Sequence, residues 1–114
     1  MKINKNKIWI SGKSYKKRIL AESLKNKINL IEDVIIEPKG KVPVHSHSFT
    51  DEIFYITKNK AVIIVNNKEF EDRPGDFIYV SKNEEYGFRN KSDKFFKMIV
   101  FKINFKKGNS YLKK

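Results

Sequence analysis

From residue 29 onward, no apolar run outlasts a short strand before a turn residue interrupts it, and that punctuation constrains the fold more than any other feature. Residues 29–36 are rich in β-branched side chains and end at Glu37-Pro38-Lys39-Gly40, a turn signal. Residues 42–47 form a short extended segment whose Pro43 suits a strand edge or start. Residues 53–57 and 61–65 flank Lys58-Asn59-Lys60, which reads as a tight hairpin. Asn66-Asn67 opens the next turn, residues 69–72 continue extended, and Arg73-Pro74-Gly75-Asp76 closes them. Residues 77–80, 86–90 and 95–105 complete about eight strands with turns every 8–12 residues or so, the spacing of an antiparallel β-sandwich or barrel. No segment sustains a 3.6-residue period, which predicts no helix longer than about three turns. Residues 15–27 are the only helical material, and their apolar positions are too sparse to define a face.

At 114 residues the chain suits one domain with a self-sufficient core. It contains no cysteine, which excludes disulfides, thiolate metal sites and cysteine nucleophiles and suits a reducing compartment. The basic first ten residues lead into no apolar run of signal-peptide length, and nothing approaches the ~18 apolar residues of a membrane span. A cytoplasmic protein without a membrane partner is expected. The formal charge of +12 raises nucleic acid as a partner, but the pattern argues against it. Of the 25 basic residues only Arg18, Arg73 and Arg89 are arginine, the side chain favoured for phosphates and base edges. The lysines are scattered rather than gathered into one footprint. A positive surface that steers a small anionic substrate into a cleft fits better.

The two histidines, His45 and His47, stand one residue apart. On a strand, positions i and i+2 share a face, so both imidazoles project into the same space. Glu52 follows at a distance that lets the chain turn once and return alongside. Two imidazoles and a carboxylate suit Fe, Mn, Ni, Co or Zn with coordination positions left open. The plainer alternative is two solvent-facing histidines on an ordinary strand.

The surrounding sequence resembles a known family. The stretch Gly40-Lys-Val-Pro-Val-His45-Ser-His47-Ser-Phe-Thr-Asp-Glu52, continuing to Asn59, resembles the first cupin motif, Gly-x(5)-His-x-His-x(3,4)-Glu-x(6)-Gly. Pro74-Gly75-Asp76, continuing through Tyr86-Gly87-Phe88-Arg89-Asn90, resembles the second, which runs from Pro-Gly-Asp to His-Gly-x-x-Asn. The likeness covers about residues 29–105 and implies a small single-domain cupin, an all-β antiparallel jelly-roll barrel (a double-stranded β-helix). Residues 1–28 are then an N-terminal extension with an edge strand, and residues 106–114 a loose tail. The resemblance places one divalent transition metal on His45, His47 and Glu52, while Asp51 faces the other way. Asn59 and Ser81 replace the family's glycine and proline, and the first glycine sits one residue nearer the histidines. Tyr86 replaces the histidine that is the family's fourth ligand. It could ligate as a phenolate if the metal lowers its pKa. It could stay neutral and donate to a bound water or substrate, or merely fill a barrel that no longer binds metal.

Alternation extends the pocket. An inward Glu52 brings Phe54 and Ile56 with it, an inward Tyr86 brings Phe88 and Asn90, and Phe96 and Met98 share a face of the last long strand. These side chains would make an apolar pocket around a few polar groups, although aromatic residues in a small barrel mostly fill its interior. The expected function is metal-dependent chemistry on a small molecule, of dioxygenase, isomerase or decarboxylase type. The alternative is a non-catalytic barrel that binds or senses a small ligand. A homodimer is expected, with a strand near residues 7–10 pairing across subunits and Trp9 as an anchor.

Overall fold

A computed structural model describes residues 3–108 together with the backbone of residues 110–112. The described chain is built of strands: β1 (Ile10–Ser11), β2 (Tyr15–Glu22), β3 (Ile28–Ile36), β4 (Lys41–His47), β5 (Asp51–Lys58), β6 (Ala61–Val65), β7 (Lys68–Asp72), β8 (Phe77–Val80), β9 (Tyr86–Arg89), β10 (Phe96–Ile103) and β11 (Ser110–Leu112). They form two antiparallel sheets, ordered β1-β2-β3-β10-β5-β8 and β11-β4-β9-β6-β7. The fold is an all-β jelly-roll barrel, and no helix occurs among the described residues.

Turn chemistry fixes the registers. Val65 pairs with Lys68 across Asn66 and Asn67, whose φ values of 50° and 69° are those a two-residue hairpin of this hand requires. Asn59 adopts φ 65° between β5 and β6, so it occupies the left-handed conformation in which the first motif has glycine. At the Pro74-Gly75 turn, Gly75 takes φ 93°, and the Asp76 carboxylate accepts the Arg73 N–H at 2.9 Å. Asp51 does face away from the barrel interior, accepting from Tyr79 Oη at 2.8 Å and from the Lys82 N–H at 2.7 Å.

Strict alternation packs the core between the sheets. Along β10, Phe96, Met98 and Val100 are buried while the intervening residues are half exposed. β3 buries Val34 and Ile36 in the same way, β5 buries Phe54 and Ile56, and β6 and β9 close the core with Ile63 and Phe88. Burial of such side chains contributes roughly 1.5–3 kcal/mol each.

The structure settles three local readings, two of them as corrections. Residues 15–27 contain no helix: Tyr15–Glu22 is a strand, paired with β3 from Tyr15↔Ile36 to Glu22↔Leu30. The strand expected at residues 7–10 is confined to Ile10–Ser11, which pairs with β2 of its own chain. Trp9 is half-buried, with the Arg18 guanidinium 5.1 Å from its ring centroid. Within the supposed tail, Ser110–Leu112 pairs with β4 from Ser110↔His47 to Leu112↔His45. Asn109, Lys113 and Lys114 lie outside the described residues.

Candidate metal centre

The site begins with a bulge. Val42 pairs with Phe88 and His45 with Tyr86, so three steps along β4 match two along β9 and one extra residue is accommodated around Pro43. Proline is tolerated there because a bulge needs no ladder N–H, and bulges re-aim the side chains that follow. The Pro43 carbonyl then accepts a hydrogen bond from His45 Nδ1 at 2.8 Å. We assign the Nδ1–H tautomer from this contact, which leaves the Nε2 lone pair free. Across the bulge, Gly87 permits the approach of β9: a Cβ there would meet the Val42 carbonyl oxygen at 2.7 Å.

β4, β5 and β9 thereby bring His45, His47, Glu52 and Tyr86 together. His47 Nε2 lies 2.6 Å from Glu52 Oε1, and the Tyr86 hydroxyl donates to the same oxygen at 2.7 Å. His47 Nε2 and Tyr86 Oη are 3.3 Å apart. The His45 ring centroid is 5.0 Å from that of His47 and 4.5 Å from that of Tyr86. His47, Glu52 and Tyr86 are buried and His45 is half-buried, so the solvent-facing alternative for the histidine pair does not hold.

Burial disfavours charge on His45 and lowers its pKa, so the ring is neutral at pH 7. Burial also opposes ionisation of Glu52. The hydrogen bond from His47, the charge of Lys102 and the donation from Tyr86 outweigh it and hold the carboxyl below its usual range. Tyr86 is pushed the other way. Burial and the adjacent Glu52 charge raise its phenol well above 10, which makes it a neutral donor here rather than a phenolate. Its hydroxyl donates to Glu52.

The four residues stand in the wall of a cavity of about 1090 Å³. Of the expected lining residues, Phe54, Phe88 and Met98 reach it. Ile56 and Phe96 are fully buried in the core away from it. Asn90 is a loop peg: its amide donates to the Ile36, Glu37 and Lys94 carbonyls, and its Oδ1 accepts from Ser92 N and Oγ. Sequence reading missed Glu32, Lys102 and Lys17, which also line the cavity. Their signal was present, since Glu32 stands in the inward series Leu30, Val34, Ile36 and Lys102 in the series Phe96, Met98, Val100.

Among the described residues, no three His, Cys, Asp or Glu side chains stand as a ready-made metal cage. His47 and Glu52 close directly on each other, and a metal ion would have to open that contact. The donor chemistry fits: two imidazoles, one ionised carboxylate and a phenol are a nitrogen and oxygen set for a divalent transition ion. The cost falls on His47. Ligation through Nε2 moves its proton to Nδ1, which is buried and has no hydrogen-bond partner among the described residues.

An antiparallel jelly roll with a His-x-His pair on one strand and a glutamate on the next defines a class of small barrel proteins. The model described as "Cupin domain" matches residues 32–102, more than half of the sequence, and the chain belongs to the cupin family. An uncharacterised protein of Methanocaldococcus jannaschii, MJ1618, is 27% identical over 60 residues, and the match spans 53% of this chain and 48% of that protein. The chain thus aligns with about half the length of this curated relative. Among solved structures, a predicted oxalate decarboxylase from Thermotoga maritima superposes with a TM-score of 0.75 at 22% identity, covering 80% of this chain and 81% of that one. KdgF from Halomonas sp. gives 0.77 at 14% identity, covering 88% of each chain. The polyketide cyclase RemF from Streptomyces resistomycificus gives 0.75 at 18%, covering 88% of this chain and 71% of that one. At these identities the likeness establishes the fold alone.

Proposed function

We propose that this cupin holds one divalent transition metal ion, Fe, Mn, Ni, Co or Zn, on His45, His47 and Glu52, and uses it to transform a small molecule in the barrel cavity. The observation that carries the reading is the convergence of two imidazoles and an ionised, buried carboxylate on one wall of a cavity of about 1090 Å³. When bound, such an ion supplies a Lewis acid able to polarise an oxygen-bearing substrate group, as oxygenase, isomerase and decarboxylase reactions require. The chain's own residues prepare that position. The Pro43 carbonyl orients His45 and keeps its Nε2 free. The hydrogen bond from His47, with the charge of Lys102 and the donation from Tyr86, keeps Glu52 ionised despite its burial. Tyr86 keeps its own proton and holds it against the Glu52 oxygen. Phe54, Met98 and Val100 give the cavity an apolar wall that limits water around these groups.

One observation favours a second reading, a non-catalytic barrel that binds a small ligand without metal. The His47–Glu52–Tyr86 contacts already satisfy one another, and a tyrosine stands where the family's fourth histidine falls. Elemental analysis of protein supplied with each ion and then dialysed separates the two: retention near one ion per chain supports the first, and none the second.

A further inference from the structure

The cavity has a second polar pole. Glu32 on β3 and Lys102 on β10 are only 3% and 9% exposed, on faces that are otherwise apolar. Lys102 Nζ lies 3.0 Å from Glu32 Oε1, and Lys17 Nζ on β2 lies 3.6 Å from Oε2. All three line the same cavity as the histidines. A buried ion pair is often no more stable than well-packed apolar side chains in its place, so stability gives no reason for this one. Its place on a cavity wall rather than in the sealed core gives a reason of another kind.

The charges do not cancel locally. Five lysines, Lys13, Lys17, Lys39, Lys41 and Lys102, stand in the lining against two acidic residues, Glu32 and Glu52. Each ammonium carries three donors. Glu32 Oε1 lies 3.0 Å from the Lys102 ammonium, and Oε2, at 3.6 Å, lies beyond a good hydrogen bond from Lys17. One further anionic group would give both lysines another acceptor, and its negative charge would offset part of the positive excess in the lining. The neighbouring Val34, Met98 and Val100 offer an apolar wall to a short carbon skeleton.

We propose that Lys102 and Lys17, oriented by Glu32, form a carboxylate-binding subsite for a small organic acid whose other end faces His45, His47 and Glu52. The subsite deepens the metal-pocket reading and rests on it for which end of the ligand reacts. The carboxylate contact itself needs no metal.

The test is an NMR titration of isotope-labelled protein in EDTA at fixed ionic strength, with malonate, its uncharged counterpart malonamide, and inorganic phosphate as probes. Malonate should bind saturably, shifting the Val34 and Met98 methyl signals, malonamide should not bind, and phosphate should bind more weakly than malonate. Lys17→Met should weaken malonate binding at least about tenfold, the loss of one charge-assisted contact. Lys102→Met alone strands Glu32, so the double variant Glu32→Gln/Lys102→Met, which removes both charges together, serves instead and should abolish saturation. Lys60→Met, on the exposed β5–β6 hairpin, should bind malonate as wild type does. The subsite is overturned if wild type shows no saturable malonate binding, if malonamide binds equally well, if phosphate binds more tightly than malonate, or if the two cavity variants bind like wild type. Metal uptake, measured separately, keeps the two readings apart. Protein that binds malonate but retains no metal leaves the subsite standing and removes the metal reading, whereas protein that loads metal but ignores malonate overturns the subsite alone.

Discussion

The Tyr86 hydroxyl donates to Glu52 Oε1 at 2.7 Å, on the same oxygen that His47 Nε2 meets at 2.6 Å. One carboxylate oxygen therefore takes two donors inside the barrel. Removing the phenol oxygen leaves that buried oxygen one donor short, at a cost of about 1–3 kcal/mol. Tyr86→Phe should lower stability to urea by that amount. Tyr86→His should instead complete a fuller ligand set, and competition against a chelator should show tighter metal retention than in wild type.

Asp72, at the end of β7, is buried, and its Oδ2 has no hydrogen-bond partner among the described residues. Burial, helped by the Asp76 charge, raises its pKa from 3.8 to about 7. A carboxyl raised in the folded state holds its proton more tightly there than in the unfolded chain. Its contribution therefore turns against folding as pH climbs from about 4 to about 7, and is constant above that. Asp72→Asn should gain stability relative to wild type across that window and then plateau. Thermal unfolding of both proteins from pH 4 to 8 measures the difference, and parallel curves would contradict the assignment.

Gly87 sits against the backbone of β4, where an added Cβ would meet the Val42 carbonyl oxygen at 2.7 Å and the Val44 nitrogen at 3.0 Å. Backbone atoms cannot swing aside as a side chain would. Gly87→Ala should cost about 1–3 kcal/mol in denaturant unfolding and displace His45 from Tyr86. His45 ring signals that stay unchanged by NMR would count against the bulge as the element that aims this side chain.

The homodimer remains a proposal. β1 lies at the edge of the six-stranded sheet, and Ile10 within it and Ile8 just before it are 48% and 72% exposed. Sedimentation at tens of micromolar should give twice 13.5 kDa. A monomer mass would remove the proposal without touching the pocket.

Much of the barrel was legible because its strands are punctuated by residues with a conformational reason to turn: Asn66-Asn67, Pro74-Gly75 and Asn59. β2 was not, because its inward series Tyr15, Lys17, Ile19 carries a lysine and is broken by a bulge before Ala21, and its residues are half-buried on both faces. The period of two is blurred when one inward position is charged. Lys102 was hidden for the same reason, although Phe96, Met98 and Val100 set its direction. β11 offers three residues and no pattern. At the site, His45, His47 and Glu52 were readable from spacing and motif. The bond from Tyr86 to Glu52 was not, since it joins β9 to β5 across the barrel through a register that the sequence alone does not supply.

The metal-pocket account is tested most directly by metal content. Wild type and His47→Ala should each be supplied with excess Fe, Mn, Ni, Co or Zn, dialysed, and analysed for bound metal and protein concentration together. With two imidazoles and a carboxylate, wild type should retain about one ion per chain for at least one metal, and His47→Ala, lacking one imidazole and the partner of Glu52, should retain little. Wild type that retains none of the five, or His47→Ala that retains as much as wild type, would contradict the assignment of His45, His47 and Glu52 as a metal centre.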